Sequence, residues 1–166
     1  MSSSDKIADT TPSALVQYAS IQEDPLIRQA IRLLEKRIFK RGAKLTDPTS
    51  VQEYLRLKLA SEALEVFAVL FLDTTHRVLA FERMFHGTID GASVYPRAVL
   101  KRAIEHNCAA VIFAHNHPSG QTKPSYADRE ITNRLKSVLE MVDIRVLDHF
   151  IVGKGQPYSF AQAGLL

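Results

Sequence analysis

The sequence predicts a mixed α/β domain in which helices cover a sheet, and three observations carry that reading. Val66–Leu72 and Ala109–Ala114 are short, continuous apolar runs, which read as buried strands. Around them, apolar residues recur at helical spacing on otherwise polar stretches, the mark of amphipathic helices. The two patterns alternate along 166 residues, a length that suits one domain with a sizeable core.

The elements follow in order. Residues 1–24 are polar and rich in Ser, Thr and Ala, and are expected to form a disordered or loosely attached tail. Pro25 suits the first position of a helix, with Asp24 as its cap. Ile27, Ile31, Leu34 and Ile38 give that helix an apolar stripe, and Gly42 is a fitting stop. Asp47-Pro48-Thr49-Ser50 opens a second helix, expected from Val51 to about Leu64, with Leu55, Leu59 and Ala63 inward. The strand Val66–Leu72 then reaches a turn at Asp73-Thr74-Thr75-His76. Arg77–Phe85 returns as its hairpin partner. Pro96–Asn107 reads as a helix with Val99, Leu100, Ala103 and Ile104 inward. After the strand Ala109–Ala114 comes a longer helix, Ser125–Val142, with Ile131, Leu135, Val138 and Leu139 on its apolar face. Ile144–Val152 is another strand, and Tyr158-Ser159-Phe160 a short last one.

Composition narrows the class of protein. Hydrophobic residues make up 46% and charged residues 23%, ordinary values for a soluble globular domain. No apolar stretch is long enough to span a bilayer, so no membrane partner is expected. The first residues, Met1-Ser2-Ser3-Ser4-Asp5-Lys6, lack the basic and apolar blocks of a secretory signal. The single cysteine, Cys108, excludes an internal disulfide and a cysteine-rich metal cluster, and is read as a small buried hydrophobe. Together these point to a reducing cytoplasm. The net charge of +3 is concentrated in residues 28–44, where seven cations face one acid, Glu35. The cations are Arg28, Arg32, Lys36, Arg37, Lys40, Arg41 and Lys44. A basic helix over 25–44 can meet DNA or an acidic partner, although a solvated helix face is the simpler reading.

The chemistry is concentrated in His115-Asn116-His117-Pro118-Ser119-Gly120, with Ser125 and Asp128 beyond it. Two histidines spaced i, i+2 point the same way on extended backbone. Pro118 and Gly120 then stop the strand. Ten residues separate His117 from Asp128, which falls in the first turn of the expected helix. Two imidazoles and a carboxylate suit zinc, with a fourth position left for water. Taken singly, each member has a plainer reading. A strand-end histidine is commonly a hydrogen-bonded structural residue. Ser125-x-x-Asp128 resembles a capping box, so Ser125 has a purely structural role open to it. That alternative is weaker for Asp128, since Glu or Gln is the usual partner. Non-haem iron is the rival metal, but its oxygenases order their ligands differently along the chain.

The spacing His115-x-His117-Pro118, six residues, then Ser125-x-x-Asp128 matches the JAMM motif of MPN-domain metalloproteases. The nearer resemblance is to the RadC family. Val66–Asp73 resembles that family's first strand, Ala109–Gly120 its metal loop, and Leu147–Gly153 its late strand. The resemblance spans roughly residues 45–163. It implies a single MPN (JAMM) domain over 45–166, with a cytidine-deaminase-like mixed sheet flanked by helices. It also implies one zinc per chain, held by His115, His117 and Asp128. Deamination itself is disfavoured, because it requires a His-x-Glu and a Pro-Cys-x-x-Cys pair. JAMM enzymes take a general base from a glutamate beside the first strand. Glu65 matches best here, ahead of Glu62 and Glu82. Ser125 would then hydrogen-bond the oxyanion.

Three departures from the family accompany the match. Only about 45 residues precede the domain, too few for the helix-hairpin-helix unit of longer relatives, so the chain resembles the short members. Tyr95 stands where the family often has His, and His86 where it often has Arg. His149 is read as a satisfied core histidine, with a role behind the metal ligands as the minority reading. His76, His86 and His106 are read as solvated. The sequence therefore predicts a zinc metallopeptidase acting on the amide bond of an unknown protein or peptide. The reading from a different class is a DNA-repair-associated accessory module with a structural metal. Neither the substrate nor the oligomeric state is written in the chain.

Overall fold

The computed structural model describes residues 25–38, 48–87 and 93–166. The predicted tail at 1–24, the caps Asp24 and Asp47, the stop at Gly42, and Lys40, Arg41 and Lys44 lie outside them. In chain order the described elements are α1 (Pro25–Ile38), α2 (Pro48–Leu59), β1 (Val66–Leu72), β2 (Val78–His86), α3 (Pro96–Glu105), β3 (Ala110–Asn116), α4 (Tyr126–Glu140), β4 (Arg145–Val152) and β5 (Tyr158–Ser159). The strands form one mixed sheet in the order β2-β1-β3-β4-β5.

The continuous apolar runs become strands because the sheet is covered on both sides. Side chains alternate faces along a strand, so a strand buried on both faces needs apolar residues throughout. Along β1, Ala68, Leu70 and Leu72 pack under Val51, Tyr54, Leu55 and Leu59 of α2, with Leu34 of α1 at the edge. The intervening Phe67, Val69 and Phe71 pack against Val99 and Ala103 of α3 and Leu135 and Leu139 of α4. On β3 the same parity sends Ala110, Ile112 and Ala114 to the α2 face, and Val111 and Phe113 to the α4 face.

Pairing directions decide which ends meet. Strand β1 runs antiparallel to both β2 and β3, while β3 and β4 run parallel. A parallel pair needs a crossover, and α4 supplies it. The start of β1, the end of β3 and the start of α4 therefore share one end of the sheet. Phe67 sits opposite His115 across the β1–β3 ladder.

Four local readings are corrected. Strand β3 runs through Asn116, so His115 lies within it rather than after it. Helix α2 stops at Leu59, and Ala63 is exposed. The reason is a competing set of partners. The Asn116 side chain donates to the carbonyls of Leu64 at 3.1 Å and Glu62 at 3.3 Å, and accepts from Val66 N–H at 2.8 Å. These bonds hold residues 62–66 in a bent entry to β1 instead of another helical turn. Ile104 is 59% exposed, on the outer side of α3. His106 is not simply solvated, since its Nε2 lies 2.6 Å from Glu82 Oε1.

The hairpin β1–β2 closes as the sequence predicts. Asp73 Oδ1 accepts from the backbone amides of Thr75 at 2.8 Å and Arg77 at 2.9 Å. Those hydrogen bonds, the one from Arg77 foremost, hold the Asp73 carboxyl below its ordinary value.

Leu70 is fully buried between the layers, whereas Leu79 on the edge strand is 43% exposed. Leu70→Ala is expected to cost about 2–5 kcal/mol in denaturant unfolding. Leu79→Ala should stay within about 0.5 kcal/mol of the natural chain. Equal losses at the two positions would contradict the layering.

Candidate metal centre

His115 continues the β3 alternation, so its side chain takes the α4 face of the sheet. It is 1% exposed. Past Asn116 the chain turns. His117 N–H donates to the Val152 carbonyl at 2.9 Å, Gly120 N–H to the His117 carbonyl at 2.8 Å, and Lys154 N–H to the Gly120 carbonyl at 2.8 Å. Gly120 has φ +82°, and a Cβ there would come within 2.8 Å of the Lys154 side chain. The turn thus needs glycine both for its backbone and for its close approach to the chain after β4. It returns His117 to the His115 side, with the two Nε2 atoms 2.9 Å apart.

Helix α4 brings the carboxylate. Ser125 is its N-cap, and the capping box is complete. Ser125 Oγ accepts from Asp128 N–H at 3.1 Å, and Asp128 Oδ2 accepts from Ser125 N–H at 2.7 Å. Asp128 therefore takes the reciprocal place usually held by Glu or Gln, a role that residue type alone made the weaker expectation. The cap does not compete with the site. Asp128 Oδ1 lies 3.2 Å from His115 Nε2, and Oδ2 lies 3.4 Å from His117 Nε2. The cap holds the side chain in the orientation that presents both oxygens to the imidazoles.

The donor set fits a tetrahedral cation. Bonds of about 2.0–2.1 Å to zinc place neighbouring donors about 3.3 Å apart at tetrahedral angles. The 2.9 Å between the two Nε2 atoms and the 3.2 Å from His115 Nε2 to Asp128 Oδ1 lie close to that edge, and one ligand atom from each of the three residues falls within 4.8 Å of the others. These three are the group of His, Cys, Asp or Glu found suitably converged among the described residues. His117 Nδ1 lies 2.8 Å from the Gln121 carbonyl, which can only accept. Nδ1 therefore carries the proton, and the Nε2 lone pair is left for the centre.

The electrostatics follow from this closeness. Burial opposes ionisation of Asp128, but its contacts with His115 and His117, the charge of His115 and the Ser125 contact hold its carboxyl far below the carboxylate range. The hydrogen bond to Asp128 raises His117 above its ordinary value, against a smaller opposing effect of burial.

Glu65 lines the same cavity of about 420 Å³ as His115, His117, Ser125 and Asp128, with Phe67 and Ile131 on its apolar side. The rival glutamates are engaged elsewhere. Glu62 pairs with Arg83 at 3.0 Å, and Glu82 is gripped by Arg102 and His106. The Asn116 bonds to the Glu62 and Leu64 carbonyls and to Val66 N–H fix the backbone on both sides of Glu65. Sequence reasoning missed this clamp, although Asn116 stands between the two histidines.

It also missed what lies behind His115. His149 is fully buried, and its Nε2 is 2.8 Å from His115 Nδ1. Its Nδ1 is 2.6 Å from Thr132 Oγ1. Burial, and then the charge of His115, push His149 well below the ordinary imidazole value. The minority reading of His149 is thus the one with geometric support. Thr132 had a signal in the sequence, since it follows Asp128 by four residues and so shares its helix face. Elsewhere, Cys108 is buried, and burial pushes its thiol up. Tyr95 is 59% exposed. No described helix is long and apolar enough to cross a membrane.

Comparison with known proteins places the chain in a family. The profile of the RadC-like JAB domain matches residues 45–165. A UPF0758 protein of Nitrosococcus oceani is 65% identical over 127 residues, covering 76% of this chain and 57% of that protein. Another from Stutzerimonas stutzeri is 53% identical over 148 residues, covering 89% of this chain and 65% of that protein. A third from Azotobacter vinelandii is 53% identical over 150 residues, covering 90% and 66%. The chain spans 57% to 66% of the lengths of these three relatives. With a single α/β domain of this profile and relatives this similar, the chain belongs to the RadC family of JAB-domain proteins.

Proposed function

We propose that this protein is a zinc-dependent hydrolase that cleaves an amide bond, peptide or isopeptide, in a protein or peptide substrate. The observation that carries the reading is the convergence of His115, His117 and Asp128, one ligand atom each within 4.8 Å of the others, in a cavity that Glu65 and Ser125 also line. Two imidazoles and one carboxylate are a zinc donor set that leaves a position open. Zinc held there would polarise a carbonyl and make water acidic enough to be a nucleophile near neutral pH.

The chain's own groups complete the chemistry. Glu65 is the general base: its carboxylate takes the proton of the attacking water and returns it to the leaving amine. Ser125 Oγ accepts from the Asp128 amide, so its own proton remains to be donated to the developing oxyanion. Phe67 and Ile131 keep one wall of the cavity apolar, which strengthens those charges by excluding water.

Purified protein is expected to hold about one zinc per chain by elemental analysis, following the one converged donor set among the described residues. Asp128→Ala should lose it. Glu65→Gln should keep the metal yet lower cleavage of a peptide library by about 10²–10⁴-fold. A metal-free protein whose stability is indifferent to chelator would sink the reading. Wild-type cleavage by Glu65→Gln would remove Glu65 from the mechanism.

Zinc and a proton compete for His117 Nε2, and this gives a pH dependence with a definite sign. In the metal-free chain His117 is raised by Asp128, so its charged form contributes stability that is lost as pH rises through the raised value. Metal binding needs the uncharged form and strengthens over the same interval. The difference in Tm between zinc-loaded and chelated protein should therefore widen as pH rises from the ordinary imidazole value of 6.5 upward. A constant or shrinking difference would contradict the ligand assignment of His117.

One observation favours a second reading, a nucleic-acid contact. Arg28, Arg32 and Lys36 are exposed at four-residue intervals on α1, a single basic stripe. Phosphate contacts by the three would make DNA binding salt-dependent. Replacing all three with Ala should flatten log affinity against log salt by about 0.9 for each phosphate that is no longer neutralised. An unchanged slope would discard this reading.

A further inference from the structure

Behind the candidate metal centre, the four residues Asp128, Thr132, His149 and His115 form a chain of contacts linking two of the ligands. Thr132 Oγ1 donates to the main-chain carbonyl of Asp128 one turn earlier on α4. The same oxygen faces His149 Nδ1, and His149 Nε2 faces His115 Nδ1. We infer that the buried Thr132–His149 pair is a positioning device that dictates which nitrogen of His115 is presented to the metal. The inference rests on the reading of His115 as a metal ligand.

The direction of every proton in the chain follows from donor and acceptor rules. A main-chain carbonyl can only accept, so the single Thr132 hydroxyl proton points to Asp128. Thr132 Oγ1 then offers a lone pair, and His149 Nδ1 must carry the proton that fills it. His149 is 0% exposed and enclosed by the rings of Phe67, Phe113 and Phe160, at centroid distances of 5.6, 5.8 and 4.8 Å. A charged imidazole in that apolar cage would be costly, so His149 carries one proton only. Its Nε2 is therefore an acceptor, and His115 Nδ1 must be the donor. His115 Nε2, the atom 3.2 Å from Asp128 Oδ1, is left for a cation. A hydroxyl on α4 thus sets the state of a ligand on β3 by way of a strand β4 histidine.

Thr132→Val keeps the shape of the side chain and removes the hydroxyl. His149 Nδ1–H would then have no acceptor, and the proton would shift to Nε2, facing His115. His115 Nδ1 would become the acceptor, and its proton would move to Nε2, the ligating atom. Zinc affinity, measured by competition with a chromophoric chelator, should fall about 10- to 100-fold, as when outer partners of metal ligands are lost. Thr132→Ser, which retains the hydroxyl, should restore it. Leu135→Ala, on the same helix, should lower Tm without weakening zinc binding by the folded protein, which separates positioning from packing. Long-range proton–nitrogen NMR of the imidazoles should also show the exchange of tautomers in Thr132→Val. The inference is overturned if Thr132→Val binds zinc as tightly as the natural chain, or if Thr132→Ser is as weak as Thr132→Val. A natural chain that takes up no zinc overturns the metal reading instead, and this inference with it.

Discussion

A buried carboxylate beside one buried and one partly buried imidazole is the interaction around which the rest of this molecule is arranged. Asp128 cannot remain charged in the interior unless hydrogen bonds offset its lost hydration. Ser125 N–H supplies one, and the Nε2 atoms of His115 and His117 stand 3.2 and 3.4 Å from its oxygens, where a proton or a cation shared with them supplies the rest. Each partner comes from a different local structure: a helix cap, a strand interior and a turn. They meet only because β3 and β4 are parallel, which forces α4 to begin where β3 ends.

The same sheet geometry explains why the neighbouring residues matter. Because β1 is antiparallel to β3, its entry lies beside the end of β3. Asn116 points to the opposite face from His115 and ties that entry down through three hydrogen bonds. One strand therefore carries a ligand on one face and the clamp for Glu65 on the other. A shift of one residue in the register would exchange the two. The long apolar strands on either side make such a slip costly, so the core protects the site's geometry as well as the fold's stability.

Much of the fold was legible because its patterns are local. The two apolar runs, the hairpin turn at Asp73 and the helical stripes are written in consecutive residues. The misplaced boundaries share one cause: a distant partner overrode a local preference. Asn116 ended α2 early by capturing carbonyls about fifty residues before it in the chain. Likewise, Glu82 and Arg102 drew His106 out of solvent. Ile104 stands one helical turn after Leu100 but faces outward, because the sheet covers only the Val99 and Ala103 side of α3.

The candidate donor set could be read from spacing, since His-x-His on extended backbone and an acid at a helix start are short-range statements. The charge of each group, its tautomer and its supporting partners could not. Those depend on Thr132, His149 and Gln121 approaching from other elements, and hydrogen-bond direction is a property of contacts, which residue types do not carry. The sequence by itself determined the layered α/β class, the strands and the donor set. Only the tertiary structure decided that the cap and the candidate ligand coincide in Asp128, that Glu65 shares the cavity, and that a buried histidine stands behind His115. The physical reason is that burial and pairing arise between elements, whereas periodicity and capping arise within them.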